Sequence, residues 1–258
     1  ISGTNGKVVF EQAGYLHIYD IAAGSAKKLT IGIAADLLEL RQRFAKGGKY
    51  IRSADISPTG ARAVFDFRGD IVTVPAEKGD YRNITNTTAA HEKYPAWSPD
   101  GKLIAYFSDA SGEYQLDIQS QDGKGDVKSL KMTGTGFYTN PRWSPDGKKI
   151  AYVDTGRNMY VLDVASGAIK KIDSDELYVP GPFRDIFSDW SSDSKWIAYT
   201  KVTATQFKKV LLYSVDEQKS YPLTDGLSDA SEPCFSHNGK YLYFFASTDA
   251  GPVINWFD

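Results

Sequence analysis

Short apolar runs, each closed by turn chemistry, recur along the whole chain. LIAYF at 103–107, DIVTV at 70–74, MYVLD at 159–163 and VLLYSV at 210–215 are rich in β-branched and aromatic residues, which suit a pleated, half-buried surface. Gly, Pro, Asp and Asn fall between them at short intervals, so the pattern predicts an all-β array and not an α/β fold. No apolar run approaches the roughly 20 residues needed to cross a bilayer.

One phrase organises these runs: an aromatic, Ser-Pro-Asp-Gly or a variant, a basic residue, then apolar residues. It reads WSPDGKLIAY from Trp97 to Tyr106 and WSPDGKKIAY from Trp143 to Tyr152. Weaker copies begin at Trp190 (WSSDSKWIAY), Phe235 (FSHNGKYLYF) and Ile56 (ISPTGARAVF), and a decayed TNGKVVF ends at Phe10. The lead residues Ile56, Trp97, Trp143, Trp190 and Phe235 are spaced by 41, 46, 47 and 45 residues. That period matches the roughly 40–45 residues of a four-stranded β-propeller blade.

Each repeat divides into four strand-like pieces. Strand A precedes the phrase (Tyr94–Trp97, Asn140–Trp143), and strand B follows its Ser-Pro-Asp-Gly turn. Strand C includes Tyr15–Asp20 and Met159–Asp163, and the short polar strand D includes Lys27–Thr30 and Ile169–Asp173. In the turn, Pro presets its backbone angle, Asp bonds back to the main chain and Gly accepts positive φ. The aromatic leads are expected to be equivalent and buried between neighbouring blades.

The ends do not complete each other. The N-terminal stretch supplies B, C and D without a clear A, and the C-terminal one supplies A, B and the start of C at Val253–Trp256. Two partial blades that duplicate B and C cannot merge, and the chain opens Ile1-Ser2-Gly3 without an initiator methionine. The expectation is a piece cut from a larger array. The period breaks between Thr30 and Ser53, where Ala35–Phe44 reads either as a short amphipathic helix or as part of an extended connector between two propellers. The connector is favoured, because the apolar residues follow neither period cleanly.

Longer stretches resemble bacterial members of the tricorn protease family. They are Asp36–Thr85, Ser111–Gly123, Tyr178–Ser191 and Pro222–Pro252, with ISPTGARAVF followed by DIVTVPAEKGD the most specific part. WSPDGKxIAY alone is shared with TolB and with propellers attached to prolyl-oligopeptidase-type enzymes. The resemblance implies a six-bladed propeller, a seven-bladed propeller, a PDZ domain and a serine-protease core in order. It places residues 1–30 in the last blade of the first propeller, 31–49 in a connector and 50–258 in five blades of the second. The family's catalytic groups lie outside this segment, so none carries over. The implied role is a non-catalytic region that channels or filters peptides or unfolded proteins toward the protease core of the same, homo-oligomeric parent. A cytoplasmic setting is implied, or a periplasmic one if a signal peptide precedes Ile1. The alternative is a TolB-type module that binds a protein partner; a prolyl-oligopeptidase-type propeller ranks third.

Composition narrows the chemistry. With 30 basic and 32 acidic residues the formal net charge is −2, which gives no electrostatic reason to expect nucleic acid or an anionic membrane as partner. The single cysteine, Cys234, excludes an internal disulfide and a cysteine-based zinc site and reads as a small buried apolar residue. His17, His91 and His237 are too scattered to form a site, and Gly226–Ala230 echoes a nucleophile elbow but joins two strands. Asp100, Asp146 and Asp193 recur because they occupy one turn, so neither a metal nor a cofactor is expected.

The A strands of a propeller line its central axis, which makes them the candidate site. Just before each lead residue stand Asp55, Ala96, Arg142, Asp189 and Cys234; three before it stand Ser53, Tyr94, Asn140, Phe187 and Glu232. Arg142, Asp189 and Glu232 are the charged candidates for touching a peptide in the channel. No residue is assigned to catalysis.

Overall fold

A computed structural model describes residues 2–32, 47–134, 136–177, 186 and 188–248. The helix considered at Ala35–Phe44 and the strand expected at Val253–Trp256 lie outside them, as does most of Tyr178–Ser191. The chain divides into two compact units, Ile1–Lys49 with Thr87–Ala89, and Tyr50–Asn86 with Ala90–Asp258.

The smaller unit holds one antiparallel sheet of four strands in the order β1-β2-β3-β4: β1 (Ser2–Thr4), β2 (Lys7–Gln12), β3 (Tyr15–Asp20) and β4 (Ser25–Lys28). Its hairpins turn on Asn5-Gly6 and Ala13-Gly14, with φ of 51° and 74° and of 52° and 74°. Paired positive φ values give the turn whose twist matches two right-twisted strands. The sequence reading left this sheet one strand short, and Ser2–Thr4 supplies it by pairing with Lys7–Val9. Ser-Gly-Thr carries no apolar signal, because its place is set by the Asn-Gly turn after it. Val8, Val9, Phe10, His17 and Ile18 reach only half-burial, with the His17 ring stacked on Phe10.

In the larger unit each repeat folds as one antiparallel sheet, four-stranded in the first four. Blade I comprises β5 (Ile51–Ile56), β6 (Arg62–Phe67), β7 (Asp70–Pro75) and β8 (Arg82–Asn83). Blade II is β9 (Glu92–Trp97), β10 (Leu103–Ser108), β11 (Gln115–Ser120) and β12 (Lys128–Lys131). Blade III is β13 (Tyr138–Trp143), β14 (Lys149–Asp154), β15 (Asn158–Asp163) and β16 (Ile169–Ser174). Blade IV is β17 (Ser188–Trp190), β18 (Trp196–Val202), β19 (Lys208–Ser214) and β20 (Lys219–Pro222). Blade V shows β21 (Ala230–Phe235) and β22 (Leu242–Ala246) among the described residues.

Each apolar cluster is built from two consecutive blades. On β10, Ile104 and Tyr106 face blade I, joining Val64, Ile71 and Trp97, while Ala105 and Phe107 face blade III, joining Tyr138, Ile150 and Tyr152. On β14 the same alternation sends Ile150 and Tyr152 toward blade II and Ala151 and Val153 toward blade IV. A strand buried on both faces reads as a continuous apolar run, which is why the B strands lack polar alternation. The outer D strands β12 and β20 are short and Lys-bearing, a composition that discourages edge-to-edge pairing.

The lead residues are equivalent but not equally buried. Trp97 and Trp190 are 6% and 7% exposed, and Trp143 and Phe235 are half-buried. Ile56, which no earlier blade of this unit precedes, is 67% exposed.

The Ser-Pro-Asp-Gly turn is one hydrogen-bonded device repeated. In blade II the Ser98 hydroxyl donates to Asp100 Oδ1 (2.6 Å) and accepts from the Leu103 N–H, and Asp100 Oδ1 also accepts from the Lys102 N–H. Ser144 with Asp146, Ser191 with Asp193 and Ser236 with Asn238 repeat it. These bonds favour the charged carboxylate. The Ser98 hydroxyl and the Lys102 N–H hold Asp100 below the usual aspartate range, and Ser191 with Lys195 does the same for Asp193.

Candidate functional site

The inner strands converge on a cleft of about 300 Å³ whose walls include Ser53, Asp55, Tyr94, Trp97, Asn140 and Arg142. It is formed by the A strands β5, β9 and β13; of the three charged candidates Arg142 lines it, and Asp189 and Glu232 do not. Arg142 and Glu232 are exposed and Asp189 is half-buried.

The A strands β5, β9, β13 and β21 do not alternate simply, because each carries a β-bulge, whereas β17 pairs in unbroken register. The pairing of β9 with β10, β13 with β14 and β21 with β22 slips one residue. At the slip stand Tyr94, Asn140 and Glu232, with φ of 54°, 51° and 57°, each followed by proline. A bulge re-aims the side chain that it carries. Residues one and three before the lead still border the same cleft, and in β13 the exposed Asn140 and Arg142 flank the buried Pro141. The sequence signal was the proline itself, which sits in sheets at edges and bulges.

Polar groups reach across the blade junctions at these positions. Asp55 Oδ2 accepts from the Trp97 N–H (2.8 Å), and Asp189 Oδ2 from the Phe235 N–H (2.7 Å). At the same two junctions the bulge N–H is held as well: Tyr94 donates to Asp66 Oδ2 (3.4 Å) and Glu232 to Thr200 Oγ1 (3.2 Å). The other two junctions use the indole instead. Trp143 Nε1 donates to the Ala96 carbonyl (3.2 Å) and Trp190 Nε1 to the Arg142 carbonyl (3.1 Å). Where Asp55 precedes the lead residue this indole bond is not formed, and the buried Trp97 Nε1 has no partner.

Asp189 is thus a blade-to-blade staple as well as a candidate contact. Asp66 was not singled out from the sequence, although it binds the N–H groups of Arg52 and Ser53 and the Ser53 hydroxyl. Its signal was an acid inside the apolar β6, at AVFDF. Cys234 overturns its assignment as a buried apolar residue: it is exposed. It stands on β21 just before the lead Phe235, where burial first and then the Asp189 carboxylate push its thiol pKa up.

His91 Nδ1 lies 2.8 Å from the Tyr114 hydroxyl. Ser228 lies between β20 and β21, where Asp225 accepts from the Leu227 N–H and Asp229 from the Lys208 N–H. Among the described residues no group of three metal-ligating side chains gathers, and no helix is long and apolar enough to cross a membrane.

Four-stranded blades joined through their B and C strands, with inner strands around a common cleft, define a β-propeller region. Residues 51–256 match the tricorn protease second beta propeller domain, and the chain belongs to that family. Over 114 residues it is 26% identical to a tricorn protease homolog of Streptomyces coelicolor, a match covering 43% of this chain and 10% of that protein. The crystal structure of the tricorn protease superposes with a TM-score of 0.61 at 15% identity, covering 93% of this chain and 23% of that one. TolB from Acinetobacter baumannii superposes at 0.51 with 17% identity, over 95% of this chain and 64% of TolB. At these identities the structural likenesses show the fold. The chain spans a small part of its tricorn-type relatives.

Proposed function

We propose that this chain is a non-catalytic propeller region of a tricorn-like serine protease, guiding or filtering peptides toward a protease core outside the segment. The supporting observation is the inner cleft, where Asp55, Asn140 and Arg142 border a space formed by three successive blades. Such a wall sorts by size and contact without a nucleophile. On this reading residues 1–30 close a preceding propeller, 31–49 connect, and PDZ and protease domains of a homo-oligomeric, cytoplasmic parent follow.

The test uses the parent protease, comparing hydrolysis of a long unstructured peptide with that of a short chromogenic one. Arg142→Glu should change kcat/KM for the long substrate and leave the short one unaltered. Equal effects on both, or none, would defeat the guiding role. The segment itself should cleave neither substrate, and cleavage abolished by Ser228→Ala would overturn its non-catalytic assignment.

A further inference from the structure

A second cleft, of about 550 Å³, opens where blades I and II meet at the start of their A strands. Its lining includes Arg52, Arg68, His91 and Lys93, together with the rings of Tyr50 and Tyr94. Arg52 lies in β5, Lys93 in β9, and Arg68 on the turn between β6 and β7. That turn is held against the His91 segment: a Cβ on Gly69 would stand 3.2 Å from the His91 ring. Three basic residues from separate elements therefore line one space.

The acids there are already committed. Asp66, 4% exposed, accepts from the Arg52 N–H, the Ser53 N–H and hydroxyl and, more distantly, the Tyr94 N–H. Glu92 is buried, with Ser108 Oγ 3.4 Å from its Oε1, and Asp109 binds the His91 N–H. Among the described residues no carboxylate lies within ion-pairing distance of Arg52, Arg68 or Lys93. Arg68 rests 5.3 Å from the Tyr50 ring centroid and Lys93 Nζ 3.9 Å from that of Tyr114. These ring contacts hold the cations in place without neutralising them. Burial also pushes the Lys93 pKa down, with Asp109 opposing the shift. The fork of each guanidinium matches the geometry of a carboxylate.

We infer that this cleft is an oxyanion site that takes the carboxylates of an acidic peptide segment. The inference rests on the peptide-handling role and assigns it a substrate class. The cleft adjoins the inner strands through Tyr94, a residue shared with the wall of the central cleft.

Fluorescence anisotropy of labelled hexaglutamate and hexaglutamine with the 258-residue chain tests the site. Hexaglutamate should bind more tightly by about tenfold or more, and more weakly as salt rises. Arg52→Ala/Arg68→Ala should remove that preference, whereas Arg52→Lys/Arg68→Lys should keep part of it. Both guanidinium groups are exposed, so thermal unfolding of the variants should match wild type; the lysine variant keeps the comparison open if the alanine one unfolds. Equal binding of both peptides, or hexaglutamate binding indifferent to the alanine pair, overturns the acidic-peptide site and leaves the guiding role standing. Inorganic phosphate that saturates the cleft while hexaglutamate does not bind marks a free-anion site and overturns the peptide assignment. Failure of the guiding role is read separately, from the parent protease with long and short substrates.

Discussion

The carboxylate of Asp189, one residue before Trp190, accepts the backbone N–H of Phe235 in the next blade at 2.7 Å. The equivalent Asp55 does the same for Trp97. A backbone donor at a blade junction has few other partners, and leaving one unpaired costs about 1–3 kcal/mol. Asp189→Ala should therefore lower stability by about that amount, and Asp189→Asn by less, because the amide oxygen can still accept. Urea unfolding of the 258-residue chain measures both, and equal costs for Ala and Asn would remove the staple.

The tryptophans differ in a way that substitution can read. Trp190 Nε1 binds the Arg142 carbonyl, whereas Trp97 Nε1 is buried without a partner. Trp190→Phe removes a hydrogen bond, but Trp97→Phe removes only an unpaired donor. The first should cost about 1 kcal/mol more than the second. Truncating the half-buried Trp143 to Ala should cost about 3 kcal/mol, the low end for a large aromatic. Chemical denaturation of the three variants side by side checks the order, and a costlier Trp97→Phe would contradict it.

Spacing made the blades legible because burial between blades imposes the same aromatic, turn and apolar strand each time. Trp97, Trp143 and Trp190 share one slot of the repeat, and Asp100, Asp146 and Asp193 share one place in its turn, bonded there to Ser98, Ser144 and Ser191. The reading failed where neighbours differ from the repeat. Strand Ser2–Thr4 has no pattern of its own, and Cys234 took the exposure of its slot and not of its residue type. The cluster of Arg52, Arg68 and Lys93 draws on an A strand, a turn and the next A strand. Comparing like positions between blades cannot bring those three together, since only the packing of adjacent blades does.

Acid should loosen the turns. A carboxyl whose folded pKa lies below its unfolded value of about 3.9 stabilises the folded state fully above that value. The contribution disappears as pH falls through the lower folded value. Asp100 and Asp193 are of this kind, so stability should drop as pH falls below about 4. The blade V turn uses Asn238 in the same bonds, which shows that an amide fits. Asp100→Asn/Asp193→Asn should shallow the acid limb of a thermal-unfolding profile while leaving the turn intact. An unchanged slope would show that these carboxylates do not titrate with folding.

The bulges supply the last prediction. Glu232 holds φ of 57° immediately before Pro233, although proline normally drives the preceding residue toward extended backbone. A left-handed residue with a side chain costs about 1–2 kcal/mol, and glycine avoids that cost. The bulge persists because its N–H is bound to Thr200 and the following proline is buried. Glu232→Gly should be neutral or stabilising by up to about 1 kcal/mol, with relief of strain offset by the freedom of glycine in the unfolded chain. Glu232→Val places a β-branched side chain at the same angle and should cost about 1–2 kcal/mol. If urea midpoints rank Val above Gly, the residue is not held left-handed in solution. The glycine variant also separates architecture from contact: it keeps the bulge and removes the carboxylate. In the parent protease, a change in long-peptide turnover without loss of stability would then report contact by the Glu232 side chain itself.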